Sequence, residues 1–193
     1  MNKLNKQKLL DQIATDMVRD NVCPELAKTA TNLVPGEGNS DADIVLIGEA
    51  PGKNEDLTGK PFVGAAGRLL TELLAEAGLR REDVFITSIV KYRPPNNRDP
   101  LPAEKQASWP YLLRQLNVIQ PKLVVTLGRH SMGYFVPNAT VSQVHGTLIK
   151  SKPWDIFPVY HPAAALYSGA TRLLVHDDFM KLKKVITQLE RKK

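Results

Sequence analysis

Four short apolar runs rich in valine and isoleucine, separated by helical patterns, restrict this chain to an α/β fold. The runs cover residues 44–48, 84–90, 123–128 and 156–160. Continuous β-branched runs of this length are typical of strands buried on both faces of a parallel sheet, and parallel strands need long crossovers, usually helices. We therefore predict a three-layer α/β/α sandwich around a central, mainly parallel four-stranded sheet.

Helical patterns occupy the stretches between and around these runs. Leucine recurs three and four residues apart in GAAGRLLTELLAEAGL, residues 64–79, and Gly78 supplies a stop. The other predicted helices cover residues 3–19, 103–118 and 172–189. Pro110 lies inside a predicted helix, where proline removes a backbone hydrogen bond and clashes with the preceding turn, so we expect a kink or a break there.

Length and charge set broad limits on function. A chain of 193 residues can enclose one core, and we predict one domain over residues 1–193, in which residues 1–20 form an N-terminal helix. Lysine and arginine number 26 against 20 for aspartate and glutamate, which gives a formal charge of +6. This surplus is compatible with a polyanionic partner and also with a solvated basic surface.

The cysteine count and the N-terminal sequence indicate the compartment. Cys23 is the only cysteine, which excludes an internal disulfide and a metal site built from several thiolates. The first 20 residues alternate charged and apolar positions and contain no continuous apolar segment. We expect a cytoplasmic chain that is not bound to a membrane. We also expect a monomer.

The four strand exits are the places to search for a site, because ligands of parallel sheets bind beyond the carboxyl ends of the strands. The exits read GEAPGKNED, KYRPPNNR, GRHSMG and HPAAAL. Glycine and proline in the first exit permit close backbone approach to a ligand, although a plain turn explains them equally well. Glu49 could orient water, but most surface glutamates do not, and Phe62 alone would be interpreted as a core residue.

Three of these segments, taken in order, resemble a known family. GEAPGKNEDLTGKPFVGAAGRLL, KYRPPNNRDP and YHPAAAL closely resemble the motifs of the family 4 uracil-DNA glycosylases, and the resemblance extends from about Asn21 to the C-terminal helix. It implies a DNA-repair enzyme that flips deoxyuridine out of DNA and hydrolyses its N-glycosidic bond, which leaves an abasic site. The implied partner is DNA that contains uracil, single-stranded or as a U·G duplex.

The resemblance also assigns roles to residues of the exits. The candidate catalytic residues are His161, which would donate a hydrogen bond to a uracil oxygen as the base departs, and Glu49, which would orient water or the sugar cation. Phe62 would stack on uracil. The candidate substrate-binding residues are Gly48, Ala50, Gly52, Phe62 and Ser88. Without the other motifs, the His-Pro pair would be interpreted as a histidine that caps a strand.

A second set of residues is expected to contact the DNA strand. The cations of KYRPPNNR, on a loop stiffened by proline, would neutralise phosphates without reading sequence. The loop after His161 would enter the groove and support the space left by the flipped base. The candidate DNA-binding residues are Lys91, Arg93, Arg98, Pro162, Ala163 and Leu166. A merely solvated basic loop and ordinary packing of Leu166 are the alternatives.

The chain departs from the family at the cysteines. Typical members carry four cysteines that hold an iron–sulfur cluster, and the matching positions here are Asn21, Cys23 or Pro24, Tyr92 and Ser108. A [4Fe–4S] cluster needs four thiolates, so we predict neither a cluster nor any other metal or cofactor. Tyr92 and Trp109 are large enough to fill the space with apolar contacts.

Ser88 is the second departure. Family members commonly have an asparagine at this strand end, and its amide can donate to one uracil atom and accept from another. A hydroxyl is shorter and cannot make both contacts at the same reach. Ser88 therefore indicates weaker selection of uracil, a bridging water, a different damaged base, or a pocket without catalysis.

Three alternatives to a uracil glycosylase that releases uracil over many turnovers remain open. A weak or inactive pseudo-glycosylase would hold DNA without releasing a base. His145-Gly146 resembles the segment that carries a nucleophilic histidine in relatives that become crosslinked to DNA, although TVSQVHGTL lacks their basic insertion. A generic nucleotide-binding protein is disfavoured, because neither GxxxxGK[ST] nor GxGxxG occurs in the sequence.

Overall fold

A five-stranded sheet lies at the centre of the computed structural model, which describes residues 2–190. The strands are β1 (Glu37–Gly38), β2 (Ile44–Gly48), β3 (Phe85–Ser88), β4 (Leu123–Leu127) and β5 (Asp155–Val159). Their order is β1-β3-β2-β4-β5, with β1 antiparallel to β3 and the other neighbouring pairs parallel. The four predicted strands are confirmed. The sheet has five strands rather than four, because a short edge strand outside the apolar runs pairs with β3.

Helices cover both faces of this sheet, so the predicted three-layer arrangement is confirmed. The helices are α1 (Lys3–Arg19), α2 (Pro24–Ala27), α3 (Lys53–Thr58), α4 (Ala65–Glu76), α5 (Pro102–Ile119), α6 (Arg129–Phe135), α7 (Val141–Val144) and α8 (Gly169–Glu190). The longer ones, α1, α4, α5 and α8, coincide with the predicted helices to within a few residues. Within residues 2–190, no helix combines the length and the apolar character that crossing a bilayer requires.

The side chains of each strand alternate between two apolar cores. In β2, Ile44 and Leu46 pack with leucines of α4 and with Phe179 of α8, whereas Val45 and Ile47 pack with α1 and α5. Burial of each branched side chain stabilises the fold by roughly 1.5–3 kcal/mol relative to exposure. Because both faces are covered, the free carboxyl edge of the sheet is where polar groups can gather.

Pro110 does not break its helix, so of the two expectations, a kink or a break, the break is wrong. Helix α5 is continuous over Pro102–Ile119 with Pro110 inside it. The proline is exposed, and so is Gln106, whose carbonyl would otherwise accept its hydrogen bond. Water can hydrate that carbonyl, so the helix continues without a buried unsatisfied group.

Candidate active site

The carboxyl ends of the parallel strands lie in register and surround a cavity. Gly48 of β2 pairs with Ser88 of β3, and Leu127 of β4 pairs with Val159 of β5. The cavity beyond these ends has a volume of about 300 Å³. The predicted site residues that line it are Glu49, Ala50, Gly52, Phe62, Ser88, Arg98, His161 and Ala163. Three strand exits that lie far apart in the sequence therefore contribute residues to one site.

Phe62 is held in the cavity wall by two glycines. Its backbone is left-handed, with φ of 52°, a conformation that costs a residue with a side chain of order 1–3 kcal/mol. A Cβ on Gly67 would lie 1.8 Å from the Phe62 carbonyl oxygen, and one on Gly48 would lie 2.7 Å from its ring. Gly48 thus lies beneath the aromatic ring and does not line the cavity itself. Both positions must be glycine for the ring to occupy this place.

Glu55 connects the first exit to the segment that carries Phe62. Its Oε1 accepts hydrogen bonds from the amides of Val63 and Gly64, both at 2.9 Å, and its Oε2 accepts from the amide of Gly52 at 3.2 Å. Gly64 is also the N-terminal cap of α4, where a negative charge is favourable. Sequence analysis assigned no role to Glu55. Its spacing three residues after Gly52, as in a capping box, is the signal that could have indicated one.

His161 begins the loop after β5 with a fixed tautomer. Its Nδ1 accepts a hydrogen bond from the Ala163 amide at 3.1 Å, so the proton of the neutral ring is on Nε2. Burial, and secondarily the charge of His130, lowers the pKa of His161 to about 4. The imidazole is therefore neutral at physiological pH. Its ring stacks beside Phe62 with a centroid separation of 5.8 Å.

One carboxyl oxygen of Glu49 lacks a hydrogen-bond partner within residues 2–190. Among the described residues, its Oε1 is shielded from solvent and has no hydrogen-bond partner. Burial, followed by the charge of Asp99, raises the pKa of Glu49 to about 7. A group that gains or loses a proton near neutral pH at the wall of a cavity is suited to acid–base chemistry.

His130 and Asp99 lie next to Glu49. The Nδ1 atom of His130 is 3.4 Å from Glu49 Oε1, and its Nε2 is 3.2 Å from Asp99 Oδ2. Donor atoms of these three residues lie within 4.8 Å of one another, which a metal ion could bridge. However, the Arg129 guanidinium is 3.5 Å from Asp99 Oδ2 and already supplies positive charge there. We therefore interpret this trio as a cluster of charged and titratable side chains.

Ser88 ends β3 inside the cavity wall. It is 4% exposed, and none of residues 2–190 makes a hydrogen bond to its hydroxyl. Its carbonyl oxygen, in contrast, accepts a hydrogen bond from Lys91 Nζ at 2.6 Å. The side chain is thus free to contact a ligand, provided that the ligand lies within the short reach of a hydroxyl group.

The KYRPPNNR loop presents fewer free cations than expected. Lys91 is 0% exposed and donates to Thr87 Oγ1 at 2.5 Å as well as to Ser88, so the expectation that it contacts phosphate is wrong. The apolar run that precedes Lys91 ends in the core, and the lysine that follows it is therefore buried as well. Arg93 donates to Asn97 at 2.7 Å. Arg98 binds both carboxylate oxygens of Glu104, at 2.6 and 2.9 Å, and still borders the cavity.

The loop after His161 has a buried side and an exposed tip. It forms a 3₁₀ helix over Pro162–Leu166, in which Pro162 is buried and Ala163 borders the cavity. Leu166 is 43% exposed, and the neighbouring Tyr167 is 89% exposed. Sequence analysis did not single out Tyr167, since nothing in the local pattern distinguishes an exposed tyrosine from a packed one.

Cys23, Tyr92 and Ser108, which we call the cysteine corner, do not form a cluster site. The Cys23 thiol donates to the Glu104 carbonyl at 3.3 Å and lies 3.4 Å from the Ser108 hydroxyl. Tyr92 is buried in the same apolar core, whereas Asn21 is exposed. One thiol beside hydroxyl groups does not fit the four thiolates of a [4Fe–4S] cluster.

Aromatic packing continues next to the cysteine corner. The ring of Trp109 lies 4.6 Å from that of Tyr134 and 5.3 Å from that of Phe135, measured between centroids. Such pairs contribute about 0.5–1.5 kcal/mol beyond the area that they bury. Apolar contact therefore stabilises this part of the molecule.

His145 lies behind the site and is not among the residues that line the cavity. Its Nδ1 is 2.8 Å from Oδ1 of the buried Asp178, whose other oxygen accepts from the Tyr160 amide at 3.4 Å. A Cβ on Gly146 would lie 2.5 Å from the same Asp178 oxygen. The His-Gly pair thus fits closely around a buried carboxylate next to His161.

Comparisons with known proteins agree with this geometry. Residues 35–186 match the sequence model of the uracil DNA glycosylase superfamily. A type-4 uracil-DNA glycosylase of Saccharolobus solfataricus is 49% identical over 188 residues, which cover 92% of this chain and 87% of that protein. The type-4 uracil-DNA glycosylase of Archaeoglobus fulgidus is 48% identical, with 90% and 91% covered. That of Thermotoga maritima is 42% identical, with 94% and 96% covered.

These identities extend over nearly the whole chain, and the superfamily match spans β2 to β5 with the four exits. The resemblance inferred from the three motifs is confirmed: the chain belongs to the uracil DNA glycosylase superfamily and, within it, to the type-4 uracil-DNA glycosylases.

Proposed function

We propose that this enzyme hydrolyses the N-glycosidic bond of deoxyuridine in DNA, releasing uracil and leaving an abasic site, as a monomer without a metal or cofactor. The observation that carries the proposal is the convergence of Glu49, Phe62 and His161 on one cavity, although they come from separate segments. Phe62 offers a ring face for the flipped base, and the cavity excludes the stacked duplex, so the base must leave the helix to enter.

His161 stabilises the departing base. As the bond between C1′ and N1 of the nucleotide breaks, its electron pair moves onto uracil, and negative charge spreads to the uracil oxygens. The neutral ring donates through Nε2–H, since Nδ1 is occupied by the Ala163 amide. A fixed donor of this kind is worth roughly 2.7–4 kcal/mol in the transition state. Because the pKa of His161 is about 4, the ring is neutral near pH 7, and the one proton that it keeps, on Nε2, makes it a hydrogen-bond donor.

Glu49 acts on the opposite side of the reacting bond. In its ionised form it stabilises positive charge on the sugar and orients a water molecule towards C1′. The water oxygen forms the new bond to C1′, and a water proton passes to the carboxylate. Because the pKa of Glu49 is about 7, the ionised fraction grows as the pH rises through neutrality.

The rim of the cavity holds the DNA strand. Arg93 and Arg98 approach phosphates, and the exposed tip formed by Leu166 and Tyr167 enters the space that the flipped nucleotide leaves. Lys91 takes no part, since it is buried. Because Arg98 is already paired with Glu104, we expect its release to be coupled to phosphate binding.

Release of free uracil is the direct test. Wild-type protein would be incubated with single-stranded and U·G duplex oligonucleotides in excess over the enzyme. Free uracil would be quantified, and abasic sites would be cleaved with alkali. Matched oligonucleotides with thymine or cytosine at the target position are the controls. We expect several turnovers on uracil and none on the controls; equal release from all three would contradict the proposal.

A DNA-binding pseudo-glycosylase is the second candidate, and Ser88 favours it. The serine hydroxyl cannot satisfy both edges of uracil, which weakens selection of the base. This candidate predicts DNA affinity that falls steeply with salt concentration, without free base. Fluorescence anisotropy at two salt concentrations, run beside the uracil assay, separates the two candidates.

A further inference from the structure

A buried acceptor, Glu49 Oε1, lies beside the imidazole of His130. Within residues 2–190 this oxygen is shielded from solvent and has no hydrogen-bond partner, and His130 Nδ1 lies 3.4 Å from it without forming a hydrogen bond. An unsatisfied buried acceptor is costly, and a small shift of the ring would satisfy it. The two side chains are 21% and 23% exposed, so little solvent screens the pair.

The other edge of the His130 ring determines what Nδ1 can offer. Arg129 Nε donates to His130 Nε2 at 3.0 Å, which leaves the proton of the neutral ring on Nδ1, facing Glu49. Asp99 Oδ2, 3.2 Å from the same Nε2, would favour the doubly protonated ring instead. In both of these states Nδ1 carries a proton on the side of the ring that faces Glu49. His130 is therefore the donor that a small shift of the ring would bring to Glu49 Oε1.

We propose that His130, held in place by Asp99 and Arg129, is the positioning residue for Glu49 and fixes its carboxylate for the hydrolytic water. This inference rests on the proposed function, because it gives Glu49 a role in water attack. When the water oxygen bonds to C1′, the water proton moves to Glu49 and leaves through the cluster to solvent. Uracil departs with the electron pair of the broken bond.

The charged and titratable groups around this pair come from α5, α6 and two strand exits. Glu49 faces Asp99, Lys105 of α5 and Arg129 of α6, and His130 faces the same three groups. His161, on the loop after β5, also interacts electrostatically with His130. Burial lowers the pKa of His130 and raises that of Glu49. In the proposed arrangement Nδ1–H donates to the ionised carboxylate of Glu49, so removal of the ring makes that ionised form harder to produce.

The test compares His130→Ala, His130→Asn, Glu49→Gln and the double variant. We expect His130→Ala to lower the single-turnover rate about tenfold and to move the pH midpoint of that rate upward by at least about half a unit. His130→Asn, whose amide can donate near the Nδ1 position, should recover most of the rate. In the Glu49→Gln background, His130→Ala should change the rate by less than about twofold, since a residue that acts through Glu49 has nothing left to position.

His176→Ala is the matched control, because His176 pairs with Glu76 at 3.0 Å away from the cavity. Thermal unfolding would verify that each variant folds. Additive losses in the double variant, or a lower rate without a shifted midpoint, would overturn the proposal and leave His130 a purely structural role.

A second readout keeps the inference separate from the proposed function. Carbon-13 NMR of the Glu49 carboxyl carbon measures its titration directly in wild type and in His130→Ala. If wild type releases no uracil, the proposed function fails, and the NMR midpoint still reports whether His130 controls Glu49. Identical midpoints in the two proteins would overturn the inference even if the enzyme is active.

Discussion

The cavity at the strand ends and the cysteine corner lie at the same end of β3 but differ in how their polar groups are satisfied. Ser88 ends the strand in the cavity wall, and Tyr92, four residues later, is buried in the core beside Cys23. In the cavity, the side chains of Glu49 and Ser88 have polar atoms without a hydrogen-bond partner in the described part of the chain. In the corner, Cys23 has partners and the aromatic rings are packed.

The difference shows which kinds of interaction can replace one another. Many small apolar contacts can stand in for a set of metal bonds, because dispersion and burial are not directional. A polar group that must meet a base edge has no such substitute, because its geometry decides whether the contact forms at all. We therefore expect variants in the corner to change stability and variants in the cavity to change the rate.

His161→Ala should have the largest effect. Loss of the Nε2–H donor should lower the single-turnover rate of uracil release about 100-fold to 1,000-fold, while the free energy of unfolding changes little. Quenched-flow or manual sampling of alkali-labile sites would measure the rate, and urea denaturation the stability. A loss of stability that accounts for the lost activity would remove the distinction between the two regions.

Tyr92→Ala should show the opposite pattern. Truncation of this buried ring should lower the free energy of unfolding by about 3 kcal/mol and leave the rate of the folded enzyme within about twofold of wild type. Urea denaturation would measure the first and the uracil assay the second. Tyr167→Ala serves as the stability control, because Tyr167 is 89% exposed and its loss should cost little. Equal destabilisation by the two variants would contradict the packing role of Tyr92.

Ser88→Asn should raise the rate of uracil release about tenfold. The amide can both donate and accept, and one more satisfied contact on the base edge is worth about 1–3 kcal/mol. Ser88→Ala is the control: it removes the hydroxyl without adding an amide, so it should not raise the rate. Competition between uracil and other damaged bases in one mixture would measure selectivity. An unchanged or lower rate for the asparagine variant would show that the serine is matched to another ligand.

Lys91 lies between the two regions and should make stability depend on pH. Burial lowers its pKa from the ordinary 10.5 to about 7. Between these values the unfolded chain binds more protons, so the free energy of unfolding should rise with pH by at most about 1.4 kcal/mol per unit, and this gain is lost as the pH falls towards 7. Lys91→Met should flatten that slope, and exposed Lys8→Met should not. Denaturant titrations from about pH 7 to pH 10 would measure both slopes.

Treatment with an iron chelator and removal of the single thiol should have the smallest effects. Chelation should leave the thermal midpoint unchanged, and Cys23→Ala should cost about 1 kcal/mol, since the thiol makes only weak hydrogen bonds. Metal quantitation of the purified protein would accompany the thermal scans. Stoichiometric iron that disappears in Cys23→Ala would contradict the packing interpretation of the corner.

The strands and the long helices could be predicted from the sequence, because the spacing of apolar residues and the content of β-branched residues indicate which side chains are buried. Sequence reasoning missed β1, a two-residue edge strand with no apolar pattern, and it misjudged Lys91, because the charge of a residue does not reveal whether its side chain is buried. The cavity residues Glu49, Phe62 and His161 were found through the motifs. The proximity of His130 to Glu49 was missed, since it depends on the distance between two exits, which spacing along the chain does not encode.

The close approach of Gly67 to Phe62 limits the evolutionary routes by which this pocket can change. Any side chain at position 67 would collide with the Phe62 carbonyl, and any at position 48 would collide with its ring. Substitutions at positions 48 and 67 would therefore displace the aromatic ring from the cavity wall. Position 88 has no such constraint, because its side chain ends in the cavity and its hydroxyl has no hydrogen-bond partner within residues 2–190. A library randomised at that codon alone would explore new base preferences on an intact scaffold.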